Sequence, residues 1–447
     1  MDEYKDGEDS SKSKAKFEEE ETDSSDDLAS LEDINAEFDQ ILSAFQNNHK
    51  EIIYFMLITL QKYLYSYSKA EEFLDIQSDR IELIINIINS TINHKVIVIS
   101  TQIFYLFVEI LPQEQIIPYF SDFLQILKLK IDELQLISKA PAMFDLIYQF
   151  YENKNTTNIA IDEINLEYLL HLTENINDMP SYQFNGCMIY LLSRKKDESF
   201  SNLIFQYIGR YLPMLHDEHN YHKTVSTFLQ IISIAIITKL LSCQQIIELD
   251  VPNSIVLLLG SERRRFVDLA AKIIGYLAKI QIFTDVSLEL IFDIIDHFNS
   301  ADLTADLIWM MSNLLENEQF RGQLLNNEAL VRICMLFHNS CFNVRKEIGL
   351  LLIHLVDYIS DSSLLKENDI LEILLELIAG NEERIVWSGV LCLPKIISIF
   401  KGEERVEFLN FLKESLSDSI DNLEERDFDE EYQNSLDIIF AAVDSLE

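Results

Sequence analysis

Glycine and proline are scarce in this chain, with ten glycines and seven prolines in 447 residues. Sandwiches and barrels need many turn-forming residues, so this composition excludes an all-β fold. Few glycines also leave little material for loops that cradle phosphates. No GxxxxGK, GxGxxG, GxSxG or HExxH motif is present. We therefore expect no cofactor and no catalytic residue, and a protein that is not an enzyme.

The chain also lacks paired cysteines, a leader pattern and long apolar runs. Its five cysteines are scattered without a CxxC pair, which indicates reduced thiols in a cytoplasmic or nuclear protein. No cationic region followed by an apolar stretch occurs near Met1, and the most apolar run, 231–237, is far shorter than a membrane span. We therefore expect neither a signal peptide nor a membrane-spanning helix.

Basic residues are outnumbered, with 35 Lys and Arg against 75 Asp and Glu and a formal net charge of −40. A polyanion of this size repels nucleic-acid phosphates and anionic membranes, and it attracts basic ligands at long range. The charge predicts a protein or peptide partner of basic character. Nucleic acid and membrane are not expected partners.

Much of this charge lies in residues 1–33, which hold fourteen acidic residues against four lysines and almost no apolar ones. Ordering such a segment buries nothing, so we predict a disordered acidic tail. Ser24 and Ser25 precede acidic residues, a context that acidophilic kinases favour. A tail that only solvates the protein is the simpler interpretation. Residues 34–447 are predicted to form the folded domain.

From about residue 31 onward, apolar residues recur at spacings of three and four. The segments 288–298 (LELIFDIIDHF) and 370–378 (ILEILLELI) are examples. This period is typical of amphipathic or fully buried α-helices. The folded part is therefore predicted to be all-α.

A repeat of nearly constant length runs through these helices. The frame Trp309-Met-Met-Ser-Asn313 recurs at spacings of 37 to 43 residues, close to the period of armadillo and HEAT repeats. The second anchor of each frame falls at Tyr63, Leu106, Gln149, Leu191, Ile234, Tyr276, Asn313, His354 and Pro394. We predict a right-handed superhelical solenoid of armadillo/HEAT-type repeats, about nine of them, with a C-terminal cap at 436–446.

The segment ADLIWMMSNLLEN (305–317) resembles the third helix of a repeat in the importin-alpha family of nuclear-import adaptors. The resemblance implies that Trp309 and Asn313 face a concave groove that binds an extended basic peptide. It further implies that the indole forms a slot for the stem of a ligand lysine and that the asparagine bonds the ligand backbone. Aromatic faces and carboxylates are suited to reading such a peptide.

Four acidic residues fall at matching places around this frame: Asp306, Glu347, Glu316 and Asp357. The resemblance implies that they take the ammonium charges of the ligand. The chain departs from the family in the neighbouring frames, which hold Lys272 with Tyr276 and Leu350 with His354. It departs also in the tail, which is acidic where the family has a basic arm.

Each of these residues has a structural alternative. Aromatic residues at helical spacing often pack in the core, and acids in so acidic a chain often form a solvated face. Two functions stay open at this point. One is a scaffold that binds extended basic peptides, with an import adaptor as one case. The alternative is a structural or regulatory armadillo/HEAT subunit that binds a folded protein.

Three histidines, His216, His219 and His222, are spaced by three. On one helix they would share a face and could hold a metal ion. No cysteine or recognised ligand spacing accompanies them, so a polar loop between repeats is the preferred interpretation. We predict no metal site.

Overall fold

A computed structural model of the chain describes residues 30–68, 78–194, 200–217, 222–366, 369–380, 382–416, 423 and 428–446. Residues 1–29 of the predicted acidic tail lie outside the described residues. All regular secondary structure in the described part is helical. The described residues belong to two compact units, divided between Ile126 and Leu127.

In the first unit, α2 packs on α1 and α4, and α3 packs on α4. A fifth helix begins in this unit and contains the boundary. The helices are α1 (Leu31–Gln46), α2 (Lys50–Ser68), α3 (Ser78–Ser90), α4 (His94–Ile110) and α5 (Gln113–Leu134).

The described residues of the second unit form twenty further α-helices and three short 3₁₀ helices. The α-helices are α6 (Leu136–Lys139), α7 (Ala142–Glu152), α8 (Thr157–Glu163), α9 (Leu166–Leu172), α10 (Tyr182–Arg194), α11 (Ser201–Tyr211), α12 (His222–Ile237), α13 (Cys243–Glu248), α14 (Val251–Val256), α15 (Arg264–Lys279), α16 (Leu288–Phe298), α17 (Ala301–Leu314), α18 (Glu318–Leu324), α19 (Asn327–Asn339), α20 (Phe342–Val356), α21 (Ser362–Lys366), α22 (Ile370–Ile378), α23 (Glu383–Ile399), α24 (Gly402–Leu416) and α25 (Glu430–Asp444). The 3₁₀ helices are Thr173–Asn175, Leu212–Met214 and Leu257–Gly260.

Within each unit, one helix of a repeat packs on its counterpart in the next repeat. In the second unit these helices, which we call the ladder helices, are α7, α10, α12, α15, α17, α20 and α23, and each contacts the next. In the C-terminal half, two shorter helices precede each of α15, α20 and α23, as α18 and α19 precede α20. This short, medium and long order is the layout of an armadillo repeat. The prediction of an all-α fold of armadillo-type repeats is confirmed.

The irregular spacing of 37 residues has a structural cause. Segment 280–287, between α15 and α16, contains no helix, so this repeat has two helices instead of three. The two predicted helices 288–298 and 370–378 are confirmed with the same bounds. The C-terminal helix α25 starts at Glu430, earlier than the predicted cap, and packs on α23 and α24.

Local sequence explains where many helices begin. The hydroxyls of Ser30 and Ser242 each accept a hydrogen bond from the backbone N–H of the third helical residue, and their backbone N–H groups donate one to its side chain, forming capping boxes with Asp33 and Gln245. Asn326 caps α19 by accepting from the Glu328 amide. These caps satisfy backbone N–H groups that lack a partner within the helix, so each helix starts at a defined residue.

Small residues bring two ladder helices close together. On α15, Ala270, Ala271, Gly275 and Ala278 are buried, and α17 packs across this helix. Short side chains let the two backbones approach, which positions the side chains of α17 directly against α15. The candidate site lies at this contact.

All five cysteines are free, and Cys187 and Cys334 are buried. None of the helices in the described part of the chain is long and apolar enough to cross a membrane. Of the three histidines, His219 lies outside the described residues and His222 begins α12. In the described ranges, no group of three or more His, Cys, Asp and Glu side chains could hold a metal ion.

Candidate functional site

Four of the six predicted site residues lie along one side of α17. Asp306, Trp309, Asn313 and Glu316 are spaced by three, four and three residues, and the first three lie within the helix. Side chains at these spacings share a helix face. Trp309, Asn313 and Asp306 are partly exposed and Glu316 is exposed, so this face is open to a partner.

Trp309 is wedged against the preceding ladder helix. A Cβ atom built at Gly275 would lie 2.2 Å from Cζ3 of the indole, so the ring occupies the space that only a glycine leaves open. The ring of Tyr276 meets the indole edge to face, with centroids 5.1 Å apart and an interplanar angle of 67°. The indole is therefore neither fully buried nor free. It is fixed by α15 and keeps part of its surface exposed.

A lysine of the same chain lies over this indole. The Lys279 ammonium is 4.8 Å from the ring centroid of Trp309 and 5.8 Å from that of Tyr276. Both distances are within the range of cation–π attraction. The two rings thus form a cation-binding slot, which we call the Trp309 slot, and Lys279 occupies it.

Asn313 turns back onto its own helix. Its Nδ2 donates a 2.7 Å hydrogen bond to the backbone carbonyl of Trp309, one turn earlier. This bond fixes the amide group beside the indole. Trp309 and Asn313 thus lie side by side, with one amide donor of Asn313 engaged within the helix.

Asp306 belongs to a charged cluster that spans α15 and α17. The Lys272 ammonium lies between two carboxylates, 2.9 Å from Oδ1 of Asp268 and 3.0 Å from Oδ2 of Asp306. Arg265 adds a 3.2 Å ion pair to the other oxygen of Asp268. Asp268 is buried, so its charge needs these partners.

The two carboxylates of this cluster differ in proton affinity. Burial, reinforced by hydrogen bonding with Asp268, raises the pKa of Asp306 to about 6, and the nearby Lys272 only partly offsets this. Burial also acts to raise the pKa of Asp268, but hydrogen bonds with Asp306 and Lys272 outweigh it and lower that pKa. The pair therefore titrates as a unit, with Asp306 as the more easily protonated member.

Glu347 lies on α20 and faces the same recess as Asp306. This recess, of about 370 Å³, is lined by Asp302, Ala305, Asp306, Asn343, Lys346 and Glu347. Burial raises the pKa of Glu347, while the charges of Arg384 and Lys346 act in the opposite direction. The structure therefore brings Asp306 and Glu347 together at one end of the predicted site.

The other two predicted acids have partners in the same chain. Oε1 of Glu316 accepts a 2.9 Å hydrogen bond from the Tyr358 hydroxyl. Oδ1 of Asp357 lies 3.1 Å from the ammonium of Lys395, on the next ladder helix. Both carboxylates are exposed, so these contacts are screened by water and open to exchange.

The neighbouring frames offer no second slot of this kind. Leu350 is buried within α20, while His354 is exposed on it. The second tryptophan of the chain, Trp387, lies half-buried on α23, and its indole N–H donates a 3.2 Å hydrogen bond to Asp429. Within the described ladder, the pairing of an indole with a neighbouring tyrosine and a lysine is found at Trp309.

Sequence reasoning missed two members of the site, Lys279 and Asp268. Lys279 lies three residues after Tyr276, and Asp268 lies four residues before Lys272. Both spacings place the residue on the face of α15 that carries the frame. The helical period of α15 could therefore have identified Lys279 and Asp268 as residues of this face. Only the packing of α15 on α17 shows which residues of α17 they contact.

No protein-family model matches the sequence, and no curated protein matches it. Among solved structures, an engineered protein from the Northeast Structural Genomics Consortium is similar at 10% identity and a TM-score of 0.55, over 91% of this chain and 99% of that chain. A designed armadillo repeat protein is similar at 15% identity and a TM-score of 0.39, over 54% of this chain and 100% of that chain. Another designed armadillo repeat protein, in complex with peptide (KR)4, is similar at 16% identity and a TM-score of 0.39, over 53% of this chain and 99% of that chain. At such low sequence identity, the similarity to the engineered protein of the first match describes the fold alone.

Proposed function

We propose that this protein is a non-enzymatic binding scaffold that recognises an extended basic peptide along the face of α15, α17 and α20. The observation that carries this proposal is the Trp309 slot. Its two aromatic rings hold an ammonium group at 4.8 and 5.8 Å, which is the geometry that a ligand lysine requires. The slot thus has the chemistry of lysine binding, here satisfied by the protein itself.

The surroundings support a ligand with several positive charges. Asp306 and Glu347 line one recess beside the slot, and Glu316 and Asp357 follow at the other end. A net charge of −40 attracts a basic segment before contact. A ligand peptide with one lysine in the Trp309 slot and basic residues on either side of it would match this arrangement of aromatic and acidic groups.

An import-adaptor role is a narrower version of this proposal. It would require the ligand to be a nuclear localisation signal, and it is supported by one tryptophan and asparagine pair, Trp309 with Asn313. The acidic character of residues 1–33 argues for a mode of regulation different from a basic N-terminal arm.

A second candidate is a structural or regulatory subunit that binds a folded protein. It is favoured by the pairing of three of the four predicted acids within the chain: Asp306 with Lys272, Glu316 with Tyr358 and Asp357 with Lys395. With these contacts in place, the face offers fewer unpaired charges to a peptide. The two candidates predict different responses to a lysine peptide.

The test is binding of a fluorescently labelled octalysine peptide, followed by fluorescence polarisation at low salt, to wild type and to Trp309→Ala. We expect the substitution to weaken binding by about tenfold, which corresponds to about 1.4 kcal/mol. Trp387→Phe is the matched control, because it alters the other tryptophan. Equal binding by wild type and Trp309→Ala would remove the slot from the site, and no binding by either would favour the folded-partner candidate.

A further inference from the structure

Lys279 has an unusual environment for a lysine in so acidic a protein. It is exposed in the last turn of α15, and its ammonium lies over the rings of Trp309 and Tyr276. Among the described residues, no carboxylate lies within ion-pair distance of it. Since 75 acidic residues compete for 35 basic ones, a lysine held by two rings reflects the attraction of that slot for a cation.

Contacts between a single cation and a single ring occur at other ladder helices. The Lys223 ammonium, at the start of α12, lies 5.2 Å from the ring of Tyr182, at the start of α10. The Arg194 guanidinium lies 4.7 Å from the ring of Tyr190, one turn earlier on α10. Aromatic rings on the ladder helices are therefore covered by cations of the same chain in more than one repeat.

Lys272 differs from Lys279 in what its removal would leave behind. Lys272 bridges the carboxylates of Asp268 and Asp306, so its loss would leave two hydrogen-bonded acids on α15 and α17 without the cation that they share. Removal of Lys279 uncovers two aromatic rings and leaves no carboxylate without its partner. Lys279 can therefore leave its place at small cost, and Lys272 cannot.

We propose that Lys279 is a specificity-determining residue that competes with the ligand for the Trp309 slot. A ligand lysine enters the slot only when it displaces the Lys279 ammonium, whose long flexible stem allows it to swing into water. A single lysine gains little from this exchange, because one ammonium replaces another. A segment with several basic residues gains the neighbouring carboxylates as well. Lys279 thus restricts binding to multiply charged basic segments, an inference that rests on the proposed function.

The test compares octalysine binding by wild type, Lys279→Met, Trp309→Ala and the double variant Lys279→Met/Trp309→Ala. Methionine keeps much of the apolar stem and removes the charge. Lys401→Met is the matched control, because Lys401 is exposed beyond the end of α23 and its loss changes the net charge equally. Circular dichroism melting curves of every variant verify that the chain is folded.

We expect Lys279→Met to bind octalysine about threefold more tightly than Lys401→Met, as release of one exposed cation–π contact implies. This gain should disappear in the Trp309→Ala background, because no slot remains to be uncovered. Equal affinities of the two lysine variants, or a gain that persists without Trp309, would overturn the proposal for Lys279 while leaving peptide binding intact. Absence of binding by wild type and Lys279→Met alike would overturn the proposed function, and the role of Lys279 with it.

Discussion

The indole of Trp309 occupies the space in front of Gly275, where an added Cβ would lie 2.2 Å from Cζ3 of the ring. The position of the indole thus depends on the absence of a side chain at Gly275. The glycine stands in the middle of α15, where it costs about 1 kcal/mol of helix stability relative to alanine. Its presence there is explained by the ring that it accommodates.

Gly275→Ala should therefore destabilise the protein in spite of the better helix former. We expect a loss of about 1 to 2 kcal/mol, because the ring must shift to avoid the new methyl group. In the Trp309→Ala background the same change should stabilise by up to about 1 kcal/mol, since the clash is absent. Urea denaturation of the four proteins gives the coupling energy.

Gly186→Ala is the matched control, because no atom beyond the neighbouring residues and the local helix backbone lies within 4 Å of a Cβ built at Gly186, in the interior of α10. It should stabilise by about 0.5 to 1 kcal/mol in either background. If Gly275→Ala behaves like Gly186→Ala, the close contact with Trp309 does not exist in solution.

The pH dependence of stability should reveal Asp306. Its pKa of about 6 in the folded chain lies above its ordinary value of 3.8, so its protonation favours folding. The contribution is complete below pH 3.8 and is lost as the pH rises through 6. In Asp306→Asn this loss is absent, so between pH 4 and 7 wild type should lose about 1 to 2 kcal/mol relative to the variant.

Urea denaturation at several pH values measures this difference. Asp302→Asn removes a carboxylate from the first turn of the same helix and serves as the control for charge. Asp268 and Lys272, which face Asp306, and Arg265, which pairs with Asp268, stay in place in both variants. Wild-type and Asp306→Asn curves that run parallel from pH 4 to 7 would show that burial does not perturb this carboxyl group.

A buried polar contact on the ladder gives a third prediction. Oδ1 of Asn185, fully buried on α10, accepts a 2.6 Å hydrogen bond from the Tyr207 hydroxyl, and Nδ2 donates a 3.2 Å bond to Thr227 Oγ1. Asn185→Leu should cost about 2 to 3 kcal/mol, because it leaves the buried hydroxyl of Tyr207 without its acceptor.

The double variant Asn185→Leu/Tyr207→Phe should recover part of this loss, by about 1 kcal/mol, since removal of both partners leaves less unpaired. Thermal and urea unfolding of the two single variants and the double variant measure the coupling. Strict additivity of the two changes would mean that the hydrogen bond contributes nothing.

Salt should weaken peptide binding if long-range charge attraction guides it. Between about 0.02 and 0.3 M NaCl the affinity for octalysine should fall by more than about tenfold, because the Debye length shrinks from roughly 20 Å to below 10 Å. An octaglutamine peptide is the uncharged control. Affinity that is constant over this range would indicate recognition by apolar contacts in place of charge.

Much of the fold followed from the helical period and the repeat length. The nine anchors fall within α2, α4 and the seven ladder helices, because burial of one face by each helix forces apolar residues onto the 3.6-residue period. The sequence did not predict that a helix is missing before α16. A spacing of 37 residues shows that this repeat is shorter than the others, but it does not show which helix is absent. Capping residues such as Asn326 fixed boundaries that periodicity alone leaves open by a turn.

The candidate site was foreseen in part. The frame placed Asp306, Trp309 and Asn313 on one face, since that depends only on their spacing within α17. Which groups meet them depends on the approach of α15 and α20. Neither Lys279 over the indole nor Lys272 between two carboxylates could be read from the spacing within one helix.

By itself the sequence determined the helices, their repeat and the excess of negative charge, because these depend on local spacing and composition. Only the tertiary structure decided that the Trp309 slot contains a lysine of the same chain and that Asp306 shares a cation with Asp268. The physical reason is that both contacts join helices about 35 residues apart in sequence. Their partners are selected by the packing of Gly275 against the indole and not by any local preference.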